Sequence, residues 1–204
     1  MSQHLRRVSV PAGERRFAHR WARVGTFLSA LLMLVAVGGG GAPSTPRAQT
    51  PDCGLYWGSL PKVSTHSATS ILTGGRSGRH DCYDRLVLDL RGQVGGYEVR
   101  YVSLVRSEGG GFPVPVRGGA VIQVVVKAPN YDPNTGQPVY TPQNTNELTP
   151  VTGYQTFRQV AWAGSFEGQS TIALGVRARL PFRVFTLAGP GSGSRLVVDV
   201  AHRW

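Results

Sequence analysis

Two stretches of the sequence nearly coincide: YDRLVLDLRG at 83–92 and GSRLVVDVAH at 193–202. Arg85, Leu86, Val87 and Asp89 return as Arg195, Leu196, Val197 and Asp199, an offset of 110 residues. In the first copy Leu86, Leu88 and Leu90 alternate with Arg85, Val87, Asp89 and Arg91. Alternation of period two puts one set on each face of a strand, which suits a strand with one face buried. Equivalent positions in two packed layers would make the repeat a device of the fold. Its Arg and Asp, sharing one face, are then expected to pair with neighbouring strands.

The same period recurs along the chain. YEVRYV (97–102) sets Tyr97, Val99 and Tyr101 against Glu98 and Arg100. AVIQVVV (120–126), QVAWAG (159–164), STIALGV (170–176) and FRVFTL (182–187) are also strand-like. Between them stand Gly95-Gly96, Gly109 to Gly111, Gly118-Gly119 and Gly189-Pro190. Short strands at such intervals with Gly/Pro turns predict a sandwich or barrel. No stretch of about a dozen residues keeps a 3.6 period, so little helix is expected outside the N-terminal leader. One connection is long, the polar, proline-rich segment between Val126 and Val151. Loops beyond about 12–15 residues are uncommon in compact domains and often functional. Within it Asp132-Pro133-Asn134-Thr135-Gly136 predicts a tight turn. A calcium loop is not expected there, because the remaining ligands do not follow.

Residues 1–42 read as an export segment. Arg6, Arg7, Arg15, Arg16, Arg20 and Arg23 precede an apolar heart at Phe27 to Val37, followed by GGGGAPSTP. A basic, then apolar, then small-residue order describes a secretory signal cleaved after Ala42. The uncharged run from Val24 to Pro46 leaves an uncleaved membrane anchor as the other reading. Residues 43–52 then serve as a linker, and 53–204 as one β domain large enough for a full core. The formal charge of +11 divides accordingly, with seven basic residues and one acid before Ala48. No Lys/Arg-rich run with interleaved aromatics remains beyond that point, so nucleic acid is not an expected partner. Cys53 and Cys82 are the two cysteines. In an exported chain an even count predicts a disulfide, here closing a 29-residue separation.

FRVFTLAGP (182–190) followed by SRLVVDVA (194–201) resembles the end of the AMIN domain of cell-wall amidases and secretin components. GRHDCYDRLVLDLRG (78–92), GYEVRYV (96–102), VPVRGGAVIQVVV (114–126) and the lead-in CGLYWGSLPK (53–62) are similar, more narrowly, to the AMIN-like domain of exported actinobacterial proteins. The resemblance implies an all-β sandwich of two similar antiparallel, four-stranded sheets. It also implies a binding role in the cell envelope, with cell-wall glycan, peptidoglycan or an envelope protein as partner. Hydrolysis does not carry over, since His66, His80 and His202 show no HxxE or HExxH spacing. No cofactor, metal or catalytic residue is expected.

The candidate binding residues fall in two regions. Tyr131, Asn134 and Tyr140 sit in the long loop without an obvious core face, suited to sugar stacking and hydroxyl hydrogen bonds. Trp57, Arg79 and Arg85 lie near the cysteines. Trp57 either stacks on a sugar or caps the sheet beside the disulfide, and the arginines, with Arg76, suit carboxylates or phosphates. Trp162, flanked by small residues, reads as core. His80, Asp81 and Asp84 read as a hydrogen-bonded turn that opens a strand.

Overall fold

The two near-identical runs are not in separate layers; they are hydrogen-bonded neighbours. The computed structural model describes residues 53–204, so the expected export segment and linker lie outside it. Among the described residues there are strands and no helix. They are β1 (Lys62–Ser64), β2 (Ser70–Arg79), β3 (Tyr83–Gly92), β4 (Tyr97–Val102), β5 (Val105–Arg106) and β6 (Pro113–Val114). After these come β7 (Ala120–Val126), β8 (Phe157–Phe166), β9 (Gln169–Val176), β10 (Phe182–Ala188) and β11 (Gly193–Ala201). A five-stranded sheet runs β1-β4-β7-β9-β8, a four-stranded sheet β10-β11-β3-β2, and β5-β6 form a separate small hairpin. Every pairing is antiparallel.

The expected all-β sandwich is therefore present, with two corrections. The sheets have five and four strands rather than four each. And β3 and β11 share one sheet, with Arg85 opposite Asp199, Val87 opposite Val197 and Asp89 opposite Arg195. The reason is geometric. Laid antiparallel on its copy, an R-x-x-x-D segment sets each Arg across from an Asp on the same face. In different layers the two outer faces would point away from each other, and no such crossing would form.

Alternation builds the core. Leu86, Leu88 and Leu90 of β3 and Leu196, Val198 and Val200 of β11 face Val99, Ile122, Val124, Ile172 and Leu174 of the other sheet in one buried cluster. A satellite cluster of Val105, Ala161, Ala163 and Ala173 lies under the β5–β6 hairpin, which covers part of the five-stranded sheet's outer face. The small side chains at 161, 163 and 173 let the hairpin approach closely.

β2 was not legible in the sequence because SILTGGRSGR does not alternate, and the structure shows why. Its register against β3 shifts between Leu72 and Gly74. A β-carbon on Gly75 would meet Leu148 Cδ2 at 3.0 Å, so the strand is bare where the long loop crosses it. That loop closes the side of the sandwich between β8 and β2. Leu148 N donates to Val160 O and Trp162 N to Thr145 O, each at 2.7 Å, which covers the β8 edge. Ser77 Oγ of β2 lies 3.0 Å from both Thr149 Oγ1 and Tyr154 Oη.

At one end of the sandwich a buried carboxylate ties three segments together. Asp84 Oδ2 accepts from Thr156 N at 2.6 Å and Phe157 N at 2.9 Å, while Oδ1 lies 3.1 Å from His202 Nε2. His80 N donates to Tyr83 O at 3.0 Å, the turn expected to open β3. The disulfide between Cys53 and Cys82 is formed and fastens the lead-in to that turn. Double substitution of Cys53 and Cys82 by Ser should lower the melting temperature by an amount equivalent to roughly 3–4 kcal/mol. Two free thiols titrated in natively folded protein would contradict the bond.

Candidate functional site

The outer face of the four-stranded sheet is where the repeated strands place their charged side chains. In the row through Asp199, Arg183 of β10 and Arg85 of β3 flank the carboxylate from the two neighbouring strands. Arg85 donates to it twice, Nε to Oδ1 at 2.6 Å and a terminal nitrogen to Oδ2 at 2.9 Å. Arg183 Nε donates to Oδ2 at 2.8 Å. Asp199 is fully buried beneath them, whereas the Arg183 side chain is 40% exposed. A buried carboxylate survives only when paired and hydrogen-bonded, and two guanidinium groups meet that condition. The bond to Asp199 raises the Arg85 pKa above the ordinary arginine value, outweighing the opposing effect of burial.

Aromatic rings complete the surface. The Arg183 guanidinium carbon lies 4.4 Å from the Trp57 ring centre, 5.0 Å from Phe185 and 5.4 Å from Tyr83. Arg85 lies 5.2 Å from Tyr83 and 5.4 Å from Phe185. Trp57 meets Tyr83 edge-on at 5.5 Å. These contacts hold two planar cations and three rings in one partly exposed layer, with geometry suited to cation–π attraction. The layer also buries Val197, which the alternation alone would leave in solvent.

In the next rows Arg76 chelates Asp89 through Nε and a terminal nitrogen at 2.9 and 3.0 Å. Arg195, across from Asp89 in the register, donates to the Ala188 carbonyl at 3.0 Å. Arg91 carries the same parity along β3 and is exposed. The face thus sets five arginines, 76, 85, 91, 183 and 195, against two aspartates, 89 and 199. Such a surface can stack on flat apolar rings and hydrogen-bond to oxyanions. Asp199, shared by two arginines, is placed as a counterion and not as a proton acceptor for a substrate.

Of the six residues expected to bind, the structure brings Trp57 and Arg85 together here. Trp57 caps the sheet, packed edge-on against Tyr83 and beneath the Arg183 guanidinium, and is half-buried there. Arg79, at the end of β2, is exposed and donates to Gly153 O at 3.1 Å, bordering a small recess with Asp84 and His202. Tyr131, Asn134 and Tyr140 lie on the β8–β2 side, away from β10. Asn134 is exposed in the turn, where its N donates to Asp132 Oδ1 at 2.9 Å. Tyr131 Oη accepts from Gly168 N at 3.3 Å. Tyr140 does have a core face: its ring meets Trp162 edge-on at 6.1 Å, and burial raises its phenol pKa. Trp162 itself is half-buried against the core.

Tyr83, Arg183 and Phe185 escaped the sequence reading. The signal was present, because F-R-V-F puts Arg183 and Phe185 on one face. Only the pairing of β10 with β11, however, reveals that this face meets Asp199. Among the described residues no three His, Cys, Asp or Glu side chains are grouped to hold a metal ion. The family model described as the AMIN-like domain matches residues 70–202. No curated protein matches the chain.

Proposed function

The chain belongs to the AMIN-like domain family, which is associated with cell-wall and envelope binding modules, and on that premise we propose a non-enzymatic, exported module that binds peptidoglycan. The observation that carries this reading is Arg183, held between Trp57 and the Tyr83 and Phe185 rings over buried Asp199. Sugar rings present apolar faces to aromatic side chains, and wall peptides present carboxylates to arginines. Each such contact contributes on the order of 1 kcal/mol, so affinity per site is modest and depends on many sites along an insoluble polymer. The Cys53–Cys82 disulfide supports an oxidising destination outside the cytoplasm.

Sedimentation of the domain with purified insoluble peptidoglycan tests the reading. Trp57→Ala and Arg183→Ala should each lower the bound fraction several-fold while a cooperative melt persists. If both variants sediment like the parent, the face is not the site, and the loop with Tyr131, Asn134 and Tyr140 becomes the next candidate. Intact mass of the protein recovered from the envelope shows in the same preparation whether residues 1–42 are gone.

A second reading, protein–protein interaction in an envelope assembly, is favoured by one observation. β10 is an edge strand, and its last three residues, Thr186, Leu187 and Ala188, are exposed. An open edge can accept a partner strand. A domain that ignores purified wall but cross-links through position 187 to an envelope protein would support this reading over the first.

A further inference from the structure

The opposite sheet carries a groove of different chemistry. It lies on the outer face of the five-stranded sheet, between the chain at 63–68 and the β5–β6 hairpin, and encloses about 580 Å³. Glu98, Glu108, Gln123, Lys127 and Gln169 line it. Glu98 is neutralised by Arg100 at 2.6 Å. The remaining two charges are not paired with each other. Lys127 Nζ donates to Gln169 Oε1, and the Nε2 of that same amide donates to both Glu108 oxygens at 3.1 Å. The buried Thr171 hydroxyl donates to Glu108 Oε1 at 2.5 Å and fixes the carboxylate from below.

One glutamine thus holds an ammonium and a carboxylate apart, by roughly 7 Å if two hydrogen bonds and an amide are laid end to end. Lys127 has three N–H donors and spends one on Gln169. A direct Lys–Glu contact would cancel both charges; the interposed amide leaves a positive and a negative end on one groove wall. The complement of such a wall is a ligand that carries both signs.

We propose that this groove binds a short peptide with free ends, its carboxylate on Lys127 and its ammonium on Glu108. An extended residue spans about 3.3–3.6 Å, so two or three residues bridge the two charges. Gln123, on the groove floor, supplies an amide to the peptide backbone between them. The site lies on a different sheet from the arginine–aromatic face and does not depend on the wall-binding reading.

The test is titration of the domain with trialanine, followed by the backbone amide shifts of residues 123, 127 and 169. N-acetyl-trialanine amide, which lacks both charges, serves as the comparison. Trialanine should give saturable shifts at these positions, and capping should weaken binding by about tenfold or more. Lys127→Gln and Glu108→Gln should each weaken trialanine by a similar factor. Lys127 is exposed and outside the core, so its variant remains informative if the Glu108 variant disturbs the hairpin. Equal binding of capped and free peptide overturns the proposal. So does the absence of shifts up to about 10 mM trialanine, or an unchanged Lys127→Gln titration.

Discussion

Replacing Leu88 with Asp should leave no folded domain. Leu88 lies in a strand paired on both sides, with its side chain fully buried among Leu86, Leu90, Leu196 and Val198. Loss of the aliphatic contacts alone costs about 2–5 kcal/mol. The new carboxylate has no cation within the core, and an unpaired buried charge adds several kcal/mol more. The sum reaches the roughly 5–15 kcal/mol that holds a domain together. Val198→Asp should behave alike, being equally buried across the same strand pair. Val87→Asp makes the sharper comparison. It points to the other face, opposite Arg76 of β2 and one register row from Arg85, so the introduced charge finds arginines nearby. Far-UV circular dichroism through a thermal ramp distinguishes the cases, with a cooperative transition expected for Val87→Asp and none for Leu88→Asp. A Leu88→Asp protein that melts within a few degrees of the parent would show that the strand faces have been assigned the wrong way round.

Asp84→Ala is the second large effect, and it arises from hydrogen bonds instead of packing. The substitution strips the backbone N–H groups of Thr156 and Phe157 of their acceptor in a region closed to water. It also removes the partner of His202 Nε2. Each orphaned buried donor costs about 1–3 kcal/mol, so a loss of about 3–5 kcal/mol is expected. Asp84→Asn should be milder. Its amide oxygen still serves the two N–H groups, and its NH₂ can donate to His202 Nε2 once that imidazole carries its proton on Nδ1, which faces the Asp81 carbonyl at 3.1 Å. Chemical denaturation of the parent and both variants measures the difference. If Ala and Asn at position 84 prove equally stable, the two N–H groups find other acceptors and the tie is not what holds the end of the sandwich.

These two positions also mark how far the sequence could be read. Leu88 was legible, because period-two alternation assigns faces without knowledge of any partner strand. Asp84 was legible only as one polar residue in a turn before a strand. Its acceptors' donors come from Thr156 and Phe157, more than seventy positions away, and no local pattern announces a pairing of that range. The same limit explains the arginine–aromatic face. Arg85 and Asp199 were expected to pair with neighbouring strands, but the expected separation of the repeated strands into two layers hid their pairing with each other. β2 was lost for a different reason: it gives up a side chain at Gly75, where Leu148 of the loop crosses it, and a strand stripped of alternation reads as a turn. The cysteine pair needed no tertiary information, only an even cysteine count and the expectation of export.

The reciprocal match of β3 with β11 bears on the order in which a nascent chain can complete itself. β11 is the last strand in chain order and fills the space between β10 and β3. A chain that emerges N-terminus first therefore presents β3 long before its partner exists. During that interval one flank of β3 is an open row of N–H and C=O groups. An R-x-x-x-D segment that complements its copy also complements itself, so two waiting chains can set Arg85 of one across from Asp89 of the other. The hazard grows with the concentration of unfinished chains and vanishes once β11 docks. The pattern that makes the finished sheet self-consistent thus makes the unfinished one adhesive, and crowded synthesis should favour tangled pairs over single domains.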